Sequence, residues 1–156
     1  MKKLWIYQSN RILTDAECTR MSELLTDFVH EWTAHGNELL GSFEIKYKLF
    51  VFLIVDESKA MVTGCSIDKS VRVLDTIQKE LGINLFDRLQ IAYRQPQDGA
   101  IALAASADFQ AMVDSGVLNE TTTVFNNMLT SADDLVDKWE VPLKDSWHAK
   151  VYLPKK

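Results

Sequence analysis

The feature that most constrains the fold of this chain is LFVFLIV, an unbroken apolar run over residues 49–55. A strand with one wet face alternates apolar and polar side chains, so a run without alternation predicts a strand that is buried on both faces. The run is far shorter than the roughly 20 residues that a membrane-spanning helix needs. We therefore expect it to be a central strand of a sheet and not to cross a membrane.

Periodicity predicts the elements on both sides of this run. A short strand covers residues 4–7, and residues 43–48 alternate apolar with charged residues in a second strand. Between them, Thr14 and Glu17 match a capping box that begins a helix, and Gly36 is placed to end it. The apolar stripe of that helix is Cys18, Met21, Leu25, Phe28 and Trp32.

The chain after the run predicts a polar turn at residues 56–59, a strand at 60–63, a second helix and a strand at 89–93. Ser66 or Asp68 caps the second helix, and Gly82 closes it. The apolar stripe of this helix is Val71, Leu74, Ile77 and Leu81.

The order β-α-β-β-(β)-α-β predicts an α+β fold, in which residues 1–95 form a ferredoxin-like antiparallel sheet with both helices on one face. A loop-like stretch, QPQDG, follows at residues 95–99. Beyond it, a strand near Ile101, a helix capped by Ser106, a strand at 121–125 and a short helix from Ser131 predict a small C-terminal α/β unit. That unit covers residues 100–156 and either packs on the first domain or merges with it.

Composition limits the classes of partner. The net charge is −5 and no run of five like charges occurs, which disfavours a nucleic-acid partner, since Lys and Arg supply most of the affinity for phosphates. No long apolar stretch follows Lys2 and Lys3, so a signal peptide is not predicted. Cys18 and Cys65 lack metal-type spacing. We therefore expect a cytoplasmic protein with reduced thiols, no metal and no cofactor.

The stretch TGCSIDKS, residues 63–70, ends like a phosphate-binding loop of the pattern G-x-x-x-x-G-K-[ST]. Lys69 and Ser70 fit the pattern, but Thr63 and Asp68 stand where it requires glycine. Side chains at both positions obstruct the turning of the backbone amides around a phosphate, and the Asp68 carboxylate repels it. The stretch is better explained as the start of a helix, with Gly64 easing the turn into it.

Cys65 is the strongest candidate for chemistry. A thiol beside the first amides of a helix is activated by the helix dipole, although a small buried cysteine explains the same position. The hypothetical site combines Cys65 as nucleophile with His35 or His148 as proton carrier. Gly64, Ser66, Asp68 and Trp147 complete it as ligand contacts. Each histidine taken alone is more often a structural residue than a catalytic one.

Six blocks of the sequence are distinctive: residues 32–36, 42–45, 64–68, 124–127, 139–143 and 146–149. Together they resemble a family of short bacterial cytoplasmic proteins that are often named "ABC transporter ATPase" without an established activity. The ATPase activity that this label implies is contradicted by the missing glycines and by the absence of LSGGQ from the sequence. A second stretch, residues 109–125, is similar to the helix-turn-strand of small GYF-like peptide-binding modules.

Two functions from different classes follow. The first is a small binding protein without catalysis, whose partner is a protein or peptide. The second is an enzyme or small-ligand site at the start of the second helix. A concave site that holds Cys65 and a histidine favours the second function, whereas a filled turn with an exposed apolar patch elsewhere favours the first. The sequence leaves the oligomeric state open.

Overall fold

The structure, a computed structural model, describes residues 2–34 and 39–154 and is an α+β fold with two antiparallel sheets. The chain divides into two units. The first contains the described residues through Asp87 together with Thr130–Asp133, and the second contains Arg88–Leu129 and Asp134 onward. The strands are β1 Lys2–Gln8, β2 Leu40–Lys46, β3 Phe50–Asp56, β4 Gln90–Arg94, β5 Ile101–Ala105, β6 Thr123–Phe125 and β7 Glu140–Pro142. The helices are α1 Asp15–Ala34, α2 Gly64–Leu81, α3 Ser106–Asp114, α4 Leu135–Lys138 and α5 His148–Tyr152, with 3₁₀ turns at Ala132–Asp134 and Leu143–Asp145.

The apolar run forms β3, the central strand of the first unit, as its sequence predicts. The strand order is β1-β3-β2, and both pairings are antiparallel. Trp5 of β1 and Phe43 of β2 are the register partners of Leu53, one on each side. These apolar residues of the edge strands therefore lie on the same face of the sheet as Leu53.

Both faces of β3 are buried. Val51 and Leu53 belong to one core cluster with Met21 and Leu25 of α1 and with Leu74 and Ile77 of α2, so both helices cover the same face of the sheet. Phe50 and Phe52, which alternate with Val51 and Leu53, are buried on the opposite face.

The start of α1 is tied to the end of α2. The predicted capping box is present: the Glu17 N–H donates to Thr14 Oγ1 at 3.1 Å, and the Thr14 N–H donates to Glu17 Oε1 at 2.9 Å. Arg11 donates to Glu17 Oε2 at 2.6 Å and to the Leu81 carbonyl at 3.0 Å. These bonds hold the pKa of Glu17 at about 2, with Arg11 as the largest cause. Arg20 of α1 also pairs with Glu80 of α2 at 2.6 Å, so the two helices run antiparallel.

Over the described ranges, the first sheet has three strands, whereas a ferredoxin-like sheet has four. The expectation of one sheet over residues 1–95 is wrong at β4, which pairs with β5 and β6 in the second unit. At the edge of β1 that does not pair with β3, the Leu4 N–H donates to the Thr130 carbonyl at 3.0 Å, and Lys3 forms an isolated bridge with Ser131. The sequence of β4 fits either sheet, because Ile91, Ala92 and Tyr93 are all buried and give no preferred face.

The second unit has the strand order β5-β4-β6-β7 and its own core. Residues 95–99, where the sequence predicts a division of the chain, form the turn of the β4–β5 hairpin. Ser106 does not cap α3 but is its first residue, and its hydroxyl lies 2.6 Å from Tyr152 Oη. The core residues are Ile91, Tyr93, Ala104, Phe109, Leu118, Val124, Leu143 and Tyr152.

Three predictions before and within α2 are wrong. Residues 60–63 are not a strand, because the Val62 N–H donates to Glu57 Oε2 instead of to a neighbouring strand, and Thr63 is the N-cap of α2. The Thr63 hydroxyl accepts from the Ser66 N–H at 3.2 Å, so neither Ser66 nor Asp68 is the cap. The buried stripe of α2 runs through Ser70, while Val71 is exposed.

The described ranges, residues 2–34 and 39–154, contain five α-helices. None combines the length and the apolar composition that a membrane span needs.

Replacing glycines at the two ends of α2 with alanine should have opposite effects. Gly64 has no positive φ, and an added Cβ meets no heavy atom within 4 Å, so Gly64→Ala should stabilise the protein by about 0.4–1 kcal/mol by restricting the unfolded chain. Gly82 has φ of 66° and donates to the Gln78 carbonyl, so Gly82→Ala should destabilise it by about 1–2 kcal/mol. Urea unfolding of both variants measures the change. A loss of stability in Gly64→Ala would contradict an ordinary helical position.

Candidate functional site

A groove of about 670 Å³ lies in the first unit between α1 and α2. The helices are joined at the other end by Arg11 and Arg20, and the groove lies between the C-terminal half of α1 and the N-terminal half of α2. Its volume is within the roughly 300–1,000 Å³ range of ligand-binding clefts. Its lining residues all belong to the first unit: Leu24, Asp27, Phe28, Glu31, Trp32, Leu39, Thr63, Cys65, Ser66, Lys69, Arg72, Val73 and Thr76.

The groove is elongated. Its lining on α2 runs from Cys65 to Thr76, which is about 16 Å at a rise of about 1.5 Å per residue, and its lining on α1 runs from Leu24 to Trp32, about 12 Å. That length corresponds to about four or five residues of an extended chain, or to two or three turns of a helix.

Apolar side chains form the inside of the groove. Leu24, Phe28 and Val73 are half-buried, and Trp32 and Leu39 are buried. The indole of Trp32 packs on Gly41, where a Cβ would lie 2.7 Å from Cε3. The Trp32 Nε1–H is buried and has no hydrogen-bond partner among the described residues. The groove therefore offers apolar surface that a ligand would remove from water.

The two walls carry opposite charges. Asp27 and Glu31 are exposed on α1, and Lys69 and Arg72 are exposed on α2. The two acidic residues are four positions apart and the two basic residues three, so each pair occupies one side of its helix. The groove is therefore amphipathic and polarised across its width.

Cys65 lies in this groove as the second residue of α2, not in front of the helix as the sequence predicts. Its side chain is exposed, so the alternative of a small buried cysteine is wrong. Ser66 also lines the groove, and its Oγ lies 3.0 Å from Thr63 Oγ1. Gly64 and Asp68 are exposed but are not part of the lining.

Most of the residues that align with the phosphate-binding pattern lie inside α2. Residues 64–70 all belong to α2, and the Ile67 N–H already donates to the Thr63 carbonyl at 3.1 Å. Backbone amides that are bonded within a helix are not free to surround a phosphate. The conformation therefore agrees with the sequence argument against such a loop.

Among the described residues, no histidine is part of the groove lining that holds Cys65. His35 and Gly36 lie outside the described residues. His148 is only 2% exposed in the core of the second unit, where its Nδ1 lies 2.7 Å from Ser146 Oγ. Trp147 stacks on the His148 ring at a centroid distance of 3.8 Å. This contact gives Trp147 a structural role in the second unit. The predicted combination of Cys65 with His35 or His148 as proton carrier therefore stays a prediction.

A second groove, of about 1080 Å³, lies between α1 and β2. Cys18 lines it, and its basic residue Lys48 is paired with Asp15. None of the predicted site residues is part of its lining, so the groove between α1 and α2 is the better candidate. Over the described ranges, no cluster of three or more His, Cys, Asp or Glu has the arrangement of a metal site.

Sequence reasoning missed most of the groove. It identified Cys65 and Ser66 but not the charged walls or the half-buried Leu24 and Val73. A signal was present in the sequence, because Asp27 and Glu31 flank the apolar stripe of α1 at helical spacing. Which neighbouring helix faces them is a tertiary property.

The chain was compared with protein-family models, with curated proteins and with solved structures, and none of them matches it. The resemblances drawn from the sequence therefore stay predictions.

We expect Cys65 to react faster than Cys18 with a small alkylating reagent. Cys65 is exposed, whereas Cys18 is partly buried, and burial raises the pKa of its thiol. Iodoacetamide labelling of the folded protein at several pH values, read by peptide mass, gives the two rates. Equal rates, or a Cys65 that reacts only after denaturation, would contradict the structure.

His148 should make the protein less stable in mild acid. Burial lowers the pKa of His148 to about 4, so below pH 6.5 the unfolded chain binds a proton that the folded chain does not. At about 1.36 kcal/mol per pKa unit, this residue should remove about 2 kcal/mol of stability between pH 7 and pH 5. Urea unfolding of the protein and of His148→Asn at both pH values isolates that loss.

The unaltered protein is the reference, and its loss of stability between pH 7 and pH 5 should exceed that of His148→Asn by about 2 kcal/mol. An NMR titration in which the His148 ring of the folded protein changes charge near pH 6.5 would overturn the prediction.

Proposed function

We propose that this chain is a small cytoplasmic binding protein that holds a segment of a partner protein in the groove between α1 and α2. The observation that carries this proposal is the groove itself: an elongated cleft of about 670 Å³ with partly exposed apolar side chains between two charged walls. Helices and extended peptides commonly bind in grooves of this kind, where apolar anchors supply affinity and polar edges supply specificity.

The length of the groove favours a peptide over a compact ligand. The lining extends about 16 Å along α2, which matches a short segment of polypeptide. Leu24, Phe28 and Val73 are half-buried, so side chains of such a segment can cover them without displacing the core. Burial of apolar surface contributes about 25 cal/mol per Å², from which the ordering of the peptide is subtracted.

The cytoplasmic location is part of the proposal. Both cysteines are free thiols, which fits a reducing compartment. Membership of the bacterial family often named "ABC transporter ATPase" is also a proposal, and the helical conformation of residues 64–70 supports the view that its ATPase label does not describe this chain. The likeness of residues 109–125 to GYF-like modules stays a prediction about the second unit.

A second candidate is a small-ligand or thiol-dependent enzymatic site at the start of α2. One observation favours it: Cys65 is exposed on the wall of a groove whose volume suits a small molecule. This candidate requires a proton carrier or ligand contacts beyond Cys65 and Ser66.

Peptide selection with a blocked control tests the proposed function. Peptides of 12 residues are selected from a random display library on the purified protein, and their affinity is measured again after Cys65 has been labelled with fluorescein maleimide. Because Cys65 lines the groove, the label should exclude the selected peptides sterically and reduce their affinity at least about tenfold, which is a loss of about 1.4 kcal/mol. Cys65→Ser treated with the same reagent is the matched control and should keep its affinity.

Amide NMR shifts on peptide addition locate the site independently of the label. The largest changes should fall on Leu24, Phe28 and Val73. A library that yields no binder would refute the proposed function. Peptides whose affinity is unchanged by the label, and whose addition shifts the amide signals of residues outside the groove, would also refute it.

A further inference from the structure

Two cations in the groove differ from most others in the first unit. Lys69 and Arg72 line the groove and form no ion pair with any described residue. By contrast, Arg11, Arg20, Lys48 and Lys79 each reach a carboxylate of this unit. The groove thus presents two adjacent, unpaired positive charges beside apolar surface.

The opposite wall restricts where a negative charge can lie. Asp27 and Glu31 line the α1 side, so a carboxylate placed there meets like charges. A carboxylate on the α2 side meets Lys69 and Arg72, and the guanidinium of Arg72 can hold it with two parallel hydrogen bonds. The two walls together favour one orientation of an occupant and disfavour the reverse.

We propose, as a consequence of the proposed function, that the groove selects an acidic amphipathic peptide segment. The apolar side chains of the segment contact Leu24, Phe28 and Val73, and its carboxylates pair with Lys69 and Arg72. The occupant is a segment of a partner protein and not a free dicarboxylate, because the cations line, together with apolar side chains, a cleft that extends about 16 Å along α2.

The net charge of the protein works against this partner but does not decide its binding. The chain carries −5 overall, which repels an acidic segment at long range. At physiological ionic strength the screening length is about 8 Å, so the charges on the groove walls dominate once the segment is seated. We therefore expect the association to be slower than for a neutral segment, and the bound complex to depend on the two local pairs.

The test compares peptides selected by the protein with those selected by K69E/R72E, which reverses the α2 wall. The random 12-residue library is used on both, and selected clones are sequenced. The protein should enrich Asp and Glu next to apolar residues, and K69E/R72E should enrich Lys and Arg instead. K79E is the matched control, because Lys79 lies on the same helix outside the groove, and it should select the same peptides as the protein.

Synthetic peptides make the comparison quantitative. The best acidic peptide and an analogue with lysine at each acidic position are measured by fluorescence anisotropy. The acidic peptide should lose about tenfold or more in affinity on K69E/R72E, and the lysine analogue should gain on that variant. A glutarate titration distinguishes the source of the carboxylate, and displacement of the peptide by millimolar glutarate would overturn the proposal of a peptide occupant.

The outcomes separate this inference from the proposed function. Peptides that bind in the groove and are blocked by the Cys65 label, but show no acidic preference, overturn the inference and leave the proposed function intact. The same holds if K69E/R72E selects the same sequences as the protein. Peptides whose affinity is unchanged by the Cys65 label refute both the inference and the proposed function.

Discussion

The burial of β3 on both faces and at both edges is the constraint on which the first unit depends. Seven consecutive apolar residues place apolar side chains on both faces of the strand, so α1 and α2 cover Val51 and Leu53. A buried strand also needs partners for its backbone groups, and β1 and β2 supply them at the two edges. Two helices on one face of a three-stranded sheet must run beside each other. Their contact is close where Arg11 and Arg20 join them, and the cleft lies between their other halves. The groove is therefore a consequence of how the central strand is covered.

Local signals in the sequence predicted local structure well. The capping box at Thr14 and Glu17, the closure of α2 by Gly82 and the two-sided burial of β3 are confirmed, because each depends on residues that are neighbours in the chain. The assignment of β4 to the first sheet failed for the opposite reason. A strand that is buried throughout matches any sheet in its apolar pattern, and pairing is decided by residues far away in sequence.

The sequence predicted part of the candidate site and missed its charged walls. Cys65 and Ser66 were identified from their place at a helix start, and they do line the groove. The sequence predicts Ser66 or Asp68 as the cap of α2, whereas the cap is Thr63. Cys65 therefore lies in the first turn of the helix and not in front of it. The role of Lys69 and Arg72 could not be read from the sequence, since a charged pair on a helix is ordinarily a solvated face. Only the position of α1 opposite them makes that pair one wall of a cleft.

The indole that lines the groove also makes the site visible to light. Trp32 is one of four tryptophans, and it alone is part of the lining, with its ring against Gly41 and its Nε1–H buried without a described partner. The emission of an indole shifts with the polarity around it, so an occupant of the cleft changes the surroundings of this fluorophore directly. With phenylalanine in place of the other three tryptophans, the protein would carry its own optical reporter of occupancy, and any candidate partner could be screened without a dye.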